Sequence, residues 1–222
     1  MKILVFLETA DGEIKKSSLE GLSAANQGSH EIATCAIGAG SDSIKEKLGS
    51  WNVGKHFFCT DERATSYNPE TYQSFVDKVI ADFGPDLVLA SSNNVGRDVF
   101  PRAAVKNNMA YMSDVTELSL DGELSVKRPM YASKCFAQVT FTDDSAKIVL
   151  LRPNQIAVTE ANGSSSPEAV SVTLEAPTGN SETQSIEKGE SEKLDLTEAE
   201  VIVSGGRGLK EADNFKLLHD LA

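Results

Sequence analysis

The 222-residue chain has little cysteine. Its only three thiols, Cys35, Cys59 and Cys135, are odd in number, far apart and outside any CxxC pair. Such a set provides neither a metal motif nor a redox motif. It is typical of buried thiols in a reducing compartment, and we therefore expect a cytoplasmic protein.

Histidine is equally scarce. His30, His56 and His219 are scattered and show no spacing typical of metal ligands. The spacing also suggests no Ser/His/Asp or Cys/His set and no pair of catalytic acids. The sequence therefore predicts neither a metal site nor a catalytic residue, and we expect the three histidines to be structural or to lie at the surface.

The chain also lacks a long apolar run and an excess of positive charge. No run approaches the roughly 18 residues that a membrane span needs. The apolar start, residues 1–7, has the length of a strand, and Glu8 and Asp11 follow it, which is untypical of a signal peptide. With 33 acidic against 21 basic residues the net charge is -12, which disfavours nucleic acids and anionic membranes.

The first half of the chain alternates between strand and helix patterns. The predicted strands are residues 2–8, 31–37, 56–59 and 86–90. Of the four predicted helices, the first begins at Ser17 and the second covers residues 41–48. The third runs from Asn68-Pro69 to Gly84-Pro85, and the fourth covers residues 95–107 with Pro101 inside. This alternation predicts an α/β fold, with a mostly parallel Rossmann-like sheet and helices on both of its faces.

The second half changes character. Strand patterns follow one another over residues 115–120, 124–131, 136–141 and 147–151, with no helix between them. We expect them to form an antiparallel section added to the parallel sheet. A final strand is predicted over residues 170–175, which closes a first domain of residues 1–175. Residues 176–199 are rich in Ser, Glu, Gly and Lys and read as a linker.

Beyond the linker, residues 200–203 are apolar and predict a strand, which a glycine-rich turn and a helical pattern follow. Ser204, Gly205, Gly206 and Gly208 would let backbone N–H groups approach a phosphate, and Arg207 would add a positive charge. The turn is neither GxGxxG nor a P-loop, so a purely structural turn is the alternative.

The tail is also short. A βαβ unit takes roughly 30 residues or more, and residues 200–222 supply fewer. We therefore expect either the truncated start of a second α/β domain or a tail that packs on another surface.

Several segments together resemble one family. Residues 203–210 (VSGGRGLK) closely resemble the beginning of the FAD domain of electron-transfer flavoprotein alpha subunits. Upstream, residues 92–102 (SNNVGRDVFPR), 113–116 (SDVT) and 128–132 (RPMYA) resemble segments of the same family in the same order. The resemblance covers the whole chain.

The resemblance implies an electron carrier and not an enzyme. Its alpha subunit would pair with a beta subunit, and its FAD would pass electrons from dehydrogenases, such as the acyl-CoA dehydrogenases of fatty acid β-oxidation, to an acceptor. Arg207 maps onto a FAD contact of the family, and Ser204, Gly205, Gly206 and Gly208 surround it. The family's later flavin motifs lie beyond Ala222, so we expect this chain not to retain FAD.

Two other functions remain open from the residues. A nucleotide-binding or nucleotide-hydrolysing protein can share this sheet, although no SGGxDS motif follows the first strand. A free-standing α/β interaction module is the second. Asn93, Asn94 and Arg97 follow a parallel strand, where ligands often bind, and they could equally form a turn and an interface.

Overall fold

The protein is described here by a computed structural model, which covers residues 1–10, 12–174, 181, 183–185, 199 and 201–222. The chain divides into two compact units, Met1–Glu187 and Lys188–Ala222. Most of the predicted linker lies outside the described residues, and the predicted domain boundaries stay predictions.

Strands and helices alternate through the first part of the first unit, as predicted. Its described strands are β1 (Lys2–Phe6), β2 (Thr9–Ala10), β3 (Glu13–Ile14), β4 (Glu31–Ile37), β5 (Val53–Cys59), β6 (Leu87–Ser91), β7 (Ala110–Val115), β8 (Glu117–Ser119), β9 (Ser125–Met130), β10 (Cys135–Thr140), β11 (Lys147–Leu151) and β12 (Glu168–Ser171). Its α-helices are α1 (Lys16–Ala25), α2 (Pro69–Phe83) and α3 (Asn94–Lys106), and 3₁₀-helices cover Ser43–Trp51 and Glu62–Ala64.

Seven of these strands form one parallel sheet. Their order is β12-β5-β4-β1-β6-β11-β7, and every neighbouring pair is parallel. Along β1, Leu4 and Phe6 pack in one hydrophobic cluster with α2 and α3, whereas Ile3 and Val5 pack in a second cluster with α1 and the longer 3₁₀-helix. The predicted α/β class with helices on both faces is confirmed.

The connections change faces between β1 and β6. The chain leaves β1 for α1 on one face and leaves β6 for α3 on the other, and yet β1 and β6 are neighbours. A crevice therefore opens outside the carboxyl ends of these two strands, where open α/β sheets bind ligands.

The prediction for the second half was partly wrong. Of the strands in this half, β8, β9 and β10 form an antiparallel sheet, whereas β11 lies between β6 and β7 in the parallel one. The antiparallel sheet makes the crossover from β7 to β11 that a helix would otherwise make. Strand β7, which the sequence analysis missed, is an edge strand of the main sheet and lacks a clear apolar pattern because most of it is only half-buried.

A strap without regular structure, residues 154–166, crosses the α1 face and carries the chain from β11 to β12 near the opposite edge of the sheet. The Glu20 carboxylate, almost fully buried in α1, accepts a hydrogen bond from the Asn154 N–H at 2.9 Å. Further along, the Thr159 N–H donates to Ser23 Oγ at 2.8 Å, and the Ser165 N–H donates to the Gly49 carbonyl at 2.8 Å. The strap is thus bonded to both helical elements of that face.

His56 is completely buried at the centre of a short hydrogen-bond chain. Its Nε2–H donates to the Ser41 carbonyl at 2.7 Å, and its Nδ1 accepts from the Thr34 hydroxyl at 2.9 Å. Both ring nitrogens are satisfied in the neutral tautomer, and burial lowers the pKa of His56. The imidazole is therefore a hydrogen-bonded part of the core, in agreement with the structural role expected for it.

This arrangement predicts that stability falls in mild acid. Below the ordinary histidine pKa of about 6.5 the unfolded chain takes up a proton that folded His56 resists, so each pH unit removes up to about 1.4 kcal/mol until the folded pKa is reached. Urea unfolding at about pH 7.5 and about pH 5.5 checks this. His56→Gln should be less stable at the higher pH and lose less stability on acidification. An equal loss in both proteins would contradict the prediction.

Candidate functional site

The glycine-rich segment of the second unit is the first candidate. The strand predicted over residues 200–203 was wrong: Glu200 lies outside the described residues, and Val201, Ile202 and Val203 form no strand. A strand needs a partner to hydrogen-bond with, and the described residues of this unit contain no second strand. Downstream, the helical pattern appears as short 3₁₀ turns at Arg207–Leu209 and Ala212–Phe215 and a four-residue helix, α4 (Lys216–His219).

The turn itself is open. A Cβ added to Gly206 or Gly208 would meet no atom within 4 Å, whereas one at Gly205 would lie 2.3 Å from the Leu209 side chain. Among the described residues the Arg207 guanidinium has no hydrogen-bond or ion-pair partner. Open backbone and a free guanidinium fit an anionic diphosphate, such as the central part of a dinucleotide.

The apolar side chains of this unit are the other part that a dinucleotide would need. They stay largely exposed within the unit. They are Val201, Ile202, Phe215, Leu217 and Leu221. The segment thus has the open backbone and the positive charge that a phosphate site would need.

The second candidate is the carboxyl edge of the main sheet. At the crevice between β1 and β6, Asn93 Nδ2 donates to the Glu8 carboxylate, and Asn93 Oδ1 caps α3 by accepting from the Gly96 N–H at 2.9 Å. Gly96 lies so close to the preceding strand that an added Cβ would be 1.9 Å from the Ser91 carbonyl oxygen. Only glycine allows α3 to begin here, because any side chain would push the helix off the strand.

A cavity of about 250 Å³ opens on the α2 side of this crevice. Glu8 and Thr9 after β1, Gly38 after β4, Thr65 and Tyr72 are among the residues that line it. Its walls are mostly polar and include a carboxylate, and no lysine or arginine lines it.

A cluster of arginines surrounds Asp114 at the ends of β6, β7 and β11. Arg152 holds the carboxylate with two hydrogen bonds, from Nε at 2.8 Å and from Nη2 at 2.7 Å. Arg97 Nη2 lies 3.4 Å from the same carboxylate, and its Nε donates to Ser92 Oγ at 3.1 Å. The Arg152 hydrogen bonds lower the pKa of Asp114, so this carboxyl stays ionised.

The structure brings together segments that the sequence analysis named separately. Residues 92–102 and 113–116 meet at this edge through Arg97 and Asp114. Arg128, from residues 128–132, reaches the same strand β7, where its Nη1 lies 3.4 Å from Met112 Sδ. Asn94, also named, begins α3 and is exposed. Arg152 was missed, although its place directly after an apolar parallel strand could have pointed to it.

Two other kinds of site are absent from the described residues. No group of three or more histidine, cysteine, aspartate or glutamate side chains is arranged there to hold a metal ion. No helix in that part of the chain is long and apolar enough to cross a membrane.

Comparison with known proteins gives one consistent result. The family model for the electron transfer flavoprotein domain matches residues 3–177. The alpha subunit of electron transfer flavoprotein from Bacillus subtilis (strain 168) is 29% identical, over 100% of this chain and 69% of its own length. The probable mitochondrial alpha subunit of Caenorhabditis elegans is 32% identical, over 99% of this chain and 65% of its own. The mitochondrial alpha subunit of Oryza sativa subsp. indica is 30% identical, over 99% and 64%.

The close approach at Gly96 predicts a specific loss of stability. Gly96→Ala should lower the free energy of unfolding by about 1–3 kcal/mol, because the new methyl group overlaps a backbone carbonyl that cannot rotate away. Gly54→Ala is the control, since its Cβ would meet its nearest atom at 3.7 Å. Urea unfolding measures both, and equal stability of the two variants would contradict this reading of Gly96.

Proposed function

Because the chain belongs to the electron transfer flavoprotein family, we propose that it acts as the alpha subunit of a heterodimeric electron carrier. The resemblance to alpha subunits stated from the sequence is confirmed. The observation that carries the proposal is the match over residues 3–177 together with alpha-subunit relatives that cover nearly the whole chain. The chain spans about two thirds of the length of these relatives.

In this proposal, residues 1–175 form the domain that contacts a beta subunit. The support is that this part folds around its own core, with both faces of the main sheet covered, while strand β10 of the antiparallel sheet stays largely exposed. The intact carrier would take electrons from flavin dehydrogenases, for example the acyl-CoA dehydrogenases of fatty acid β-oxidation, and deliver them to an acceptor in the cytoplasm.

We further propose that FAD is the cofactor of the complete protein. Ser204, Gly205, Gly206 and Gly208 would present backbone N–H groups to its diphosphate, and Arg207 would hold it by charge. Bound flavin supplies the redox chemistry, and the protein contributes binding, orientation and electrostatics. Residues 200–222 would thus begin a FAD-binding domain, and the protein would be a carrier rather than a catalyst.

The subunit assignment predicts a defined complex. Mixed with the cognate beta subunit, the purified chain should elute from size exclusion as a one-to-one heterodimer, which light scattering would verify. An unrelated acidic protein of similar size serves as the control for non-specific association. If the chain and the beta subunit elute separately at micromolar concentration, the role proposed for residues 1–175 is wrong.

The cofactor assignment predicts two results. The 222-residue chain, purified without added flavin, should show no flavin band in its visible spectrum, and a stoichiometric band would contradict the proposed place of the site.

In a chain that continues through the complete flavin domain, Arg207→Ala should weaken FAD binding about tenfold through loss of a charge-assisted contact. The control is Arg102→Ala, which removes an exposed arginine paired with Asp98 in the first unit. If the two variants bind FAD with equal affinity, Arg207 does not contribute to the FAD site.

A further inference from the structure

Positive charge collects at one point of an otherwise acidic chain. Arg97 and Arg152 form ion pairs with the single carboxylate of Asp114. Arg128, which contacts Met112 of the same strand, is a third cation close enough to help lower the pKa of that carboxyl. Two guanidinium groups thus contact one negative charge and a third lies nearby, on a protein whose net charge is -12. The local excess is two positive charges.

The guanidinium groups keep donors that Asp114 does not use. Arg152 donates to Asp114 from Nε and Nη2, and Arg97 donates to Ser92 from Nε. The Nη1 atoms of Arg97 and Arg152 have no partner among the described residues. The Nε of Arg128 is buried and also has no hydrogen-bond partner there. An unpaired donor of a charged group is costly when it is desolvated, as Arg128 Nε is, so an acceptor that reaches it would be stabilising.

The backbone holds this cluster in place before any ligand arrives. Asp114 adopts a left-handed conformation with φ of 64°, next to a register shift between β7 and β11. Its N–H donates to Ser92 Oγ at 3.2 Å, and the Arg152 N–H donates to the Val115 carbonyl at 2.8 Å. The Arg97 side chain is 56% exposed and that of Arg152 35% exposed, so solvent reaches the cluster.

We propose that Arg97, Arg128 and Arg152 bind a second oxyanion, a carboxylate or phosphate group, beside Asp114. Planar guanidinium groups match both oxyanions, because each offers two parallel N–H donors to two oxygens. The site lies at the carboxyl ends of β6, β7 and β11, within the first unit. The oxyanion comes either from a small molecule in solution or from an acidic side chain of the beta subunit.

The first arm of the test uses inorganic phosphate on the isolated chain. Arginine Nε–H signals are followed by NMR during the titration, and those of Arg97 and Arg152 should move and saturate. Arg97→Gln should weaken phosphate binding about tenfold, because it removes one charged donor group. Arg102→Gln is the matched control: Arg102 lies on the same helix, is exposed and is bound to Asp98 at 3.0 Å. Urea unfolding verifies that both variants are folded.

The second arm rests on the proposed function and uses the cognate beta subunit. Arg97→Gln should weaken the heterodimer about tenfold and reduce its salt dependence, whereas Arg102→Gln should change neither. Phosphate binding that Arg97→Gln weakens identifies a free anion as the source, and a weakened heterodimer without phosphate binding identifies the partner's carboxylate. No effect of Arg97→Gln in either arm overturns the site. In that case an intact heterodimer still leaves the proposed function standing. The reverse outcome, phosphate binding that Arg97→Gln weakens but no heterodimer, would reject the proposed function and retain the site.

Discussion

The architecture depends on covering both faces of a parallel sheet. Strands such as β1, β6 and β11 are apolar on both sides, so the sheet is stable only when elements pack on each face. Helices α2 and α3 cover one face, and α1 with its neighbouring 3₁₀-helix covers the other. Because the helices are divided between the two faces, the helix that follows β1 and the helix that follows β6 pack on opposite sides of the sheet. This change of faces opens the crevice that Glu8 and Asn93 bridge, and Gly96 lets α3 start directly against the sheet.

The sequence predicted the first half of the fold well because its signals are local. Proline at the first position of α2 and glycine just after its end mark that helix, and the Asn68 side chain caps it as such positions favour. The second half depends on pairing, which no local pattern encodes. The apolar run of β11 suits a parallel or an antiparallel neighbour equally. Residues 201–203 resemble a strand, but the part of their unit that the structure describes contains no strand to pair with them.

The candidate sites divide in the same way. Asn93 and Arg97 could be named because residues after a parallel strand gather at one edge of a sheet. The ion pair between Asp114 and Arg152 could not, because it joins positions far apart in the sequence through a bulge and a left-handed residue. The role of residues 204–208 rests on resemblance and remains a prediction, since glycine-rich turns of this length have structural uses as well.

The strap has a consequence for how the chain assembles. Strand β12 pairs with β5, which precedes it by more than half of the first unit, and it can do so only after residues 154–166 have crossed α1. Closing so long a loop is entropically expensive, so this pairing is expected late on the folding pathway, after β1, β4 and β6 have joined. Until then the outer edge of β5 offers free backbone groups to any other strand. On this view the strap completes the sheet last. Until β12 pairs with β5, the edge of β5 is expected to be exposed to pairing with the wrong strand.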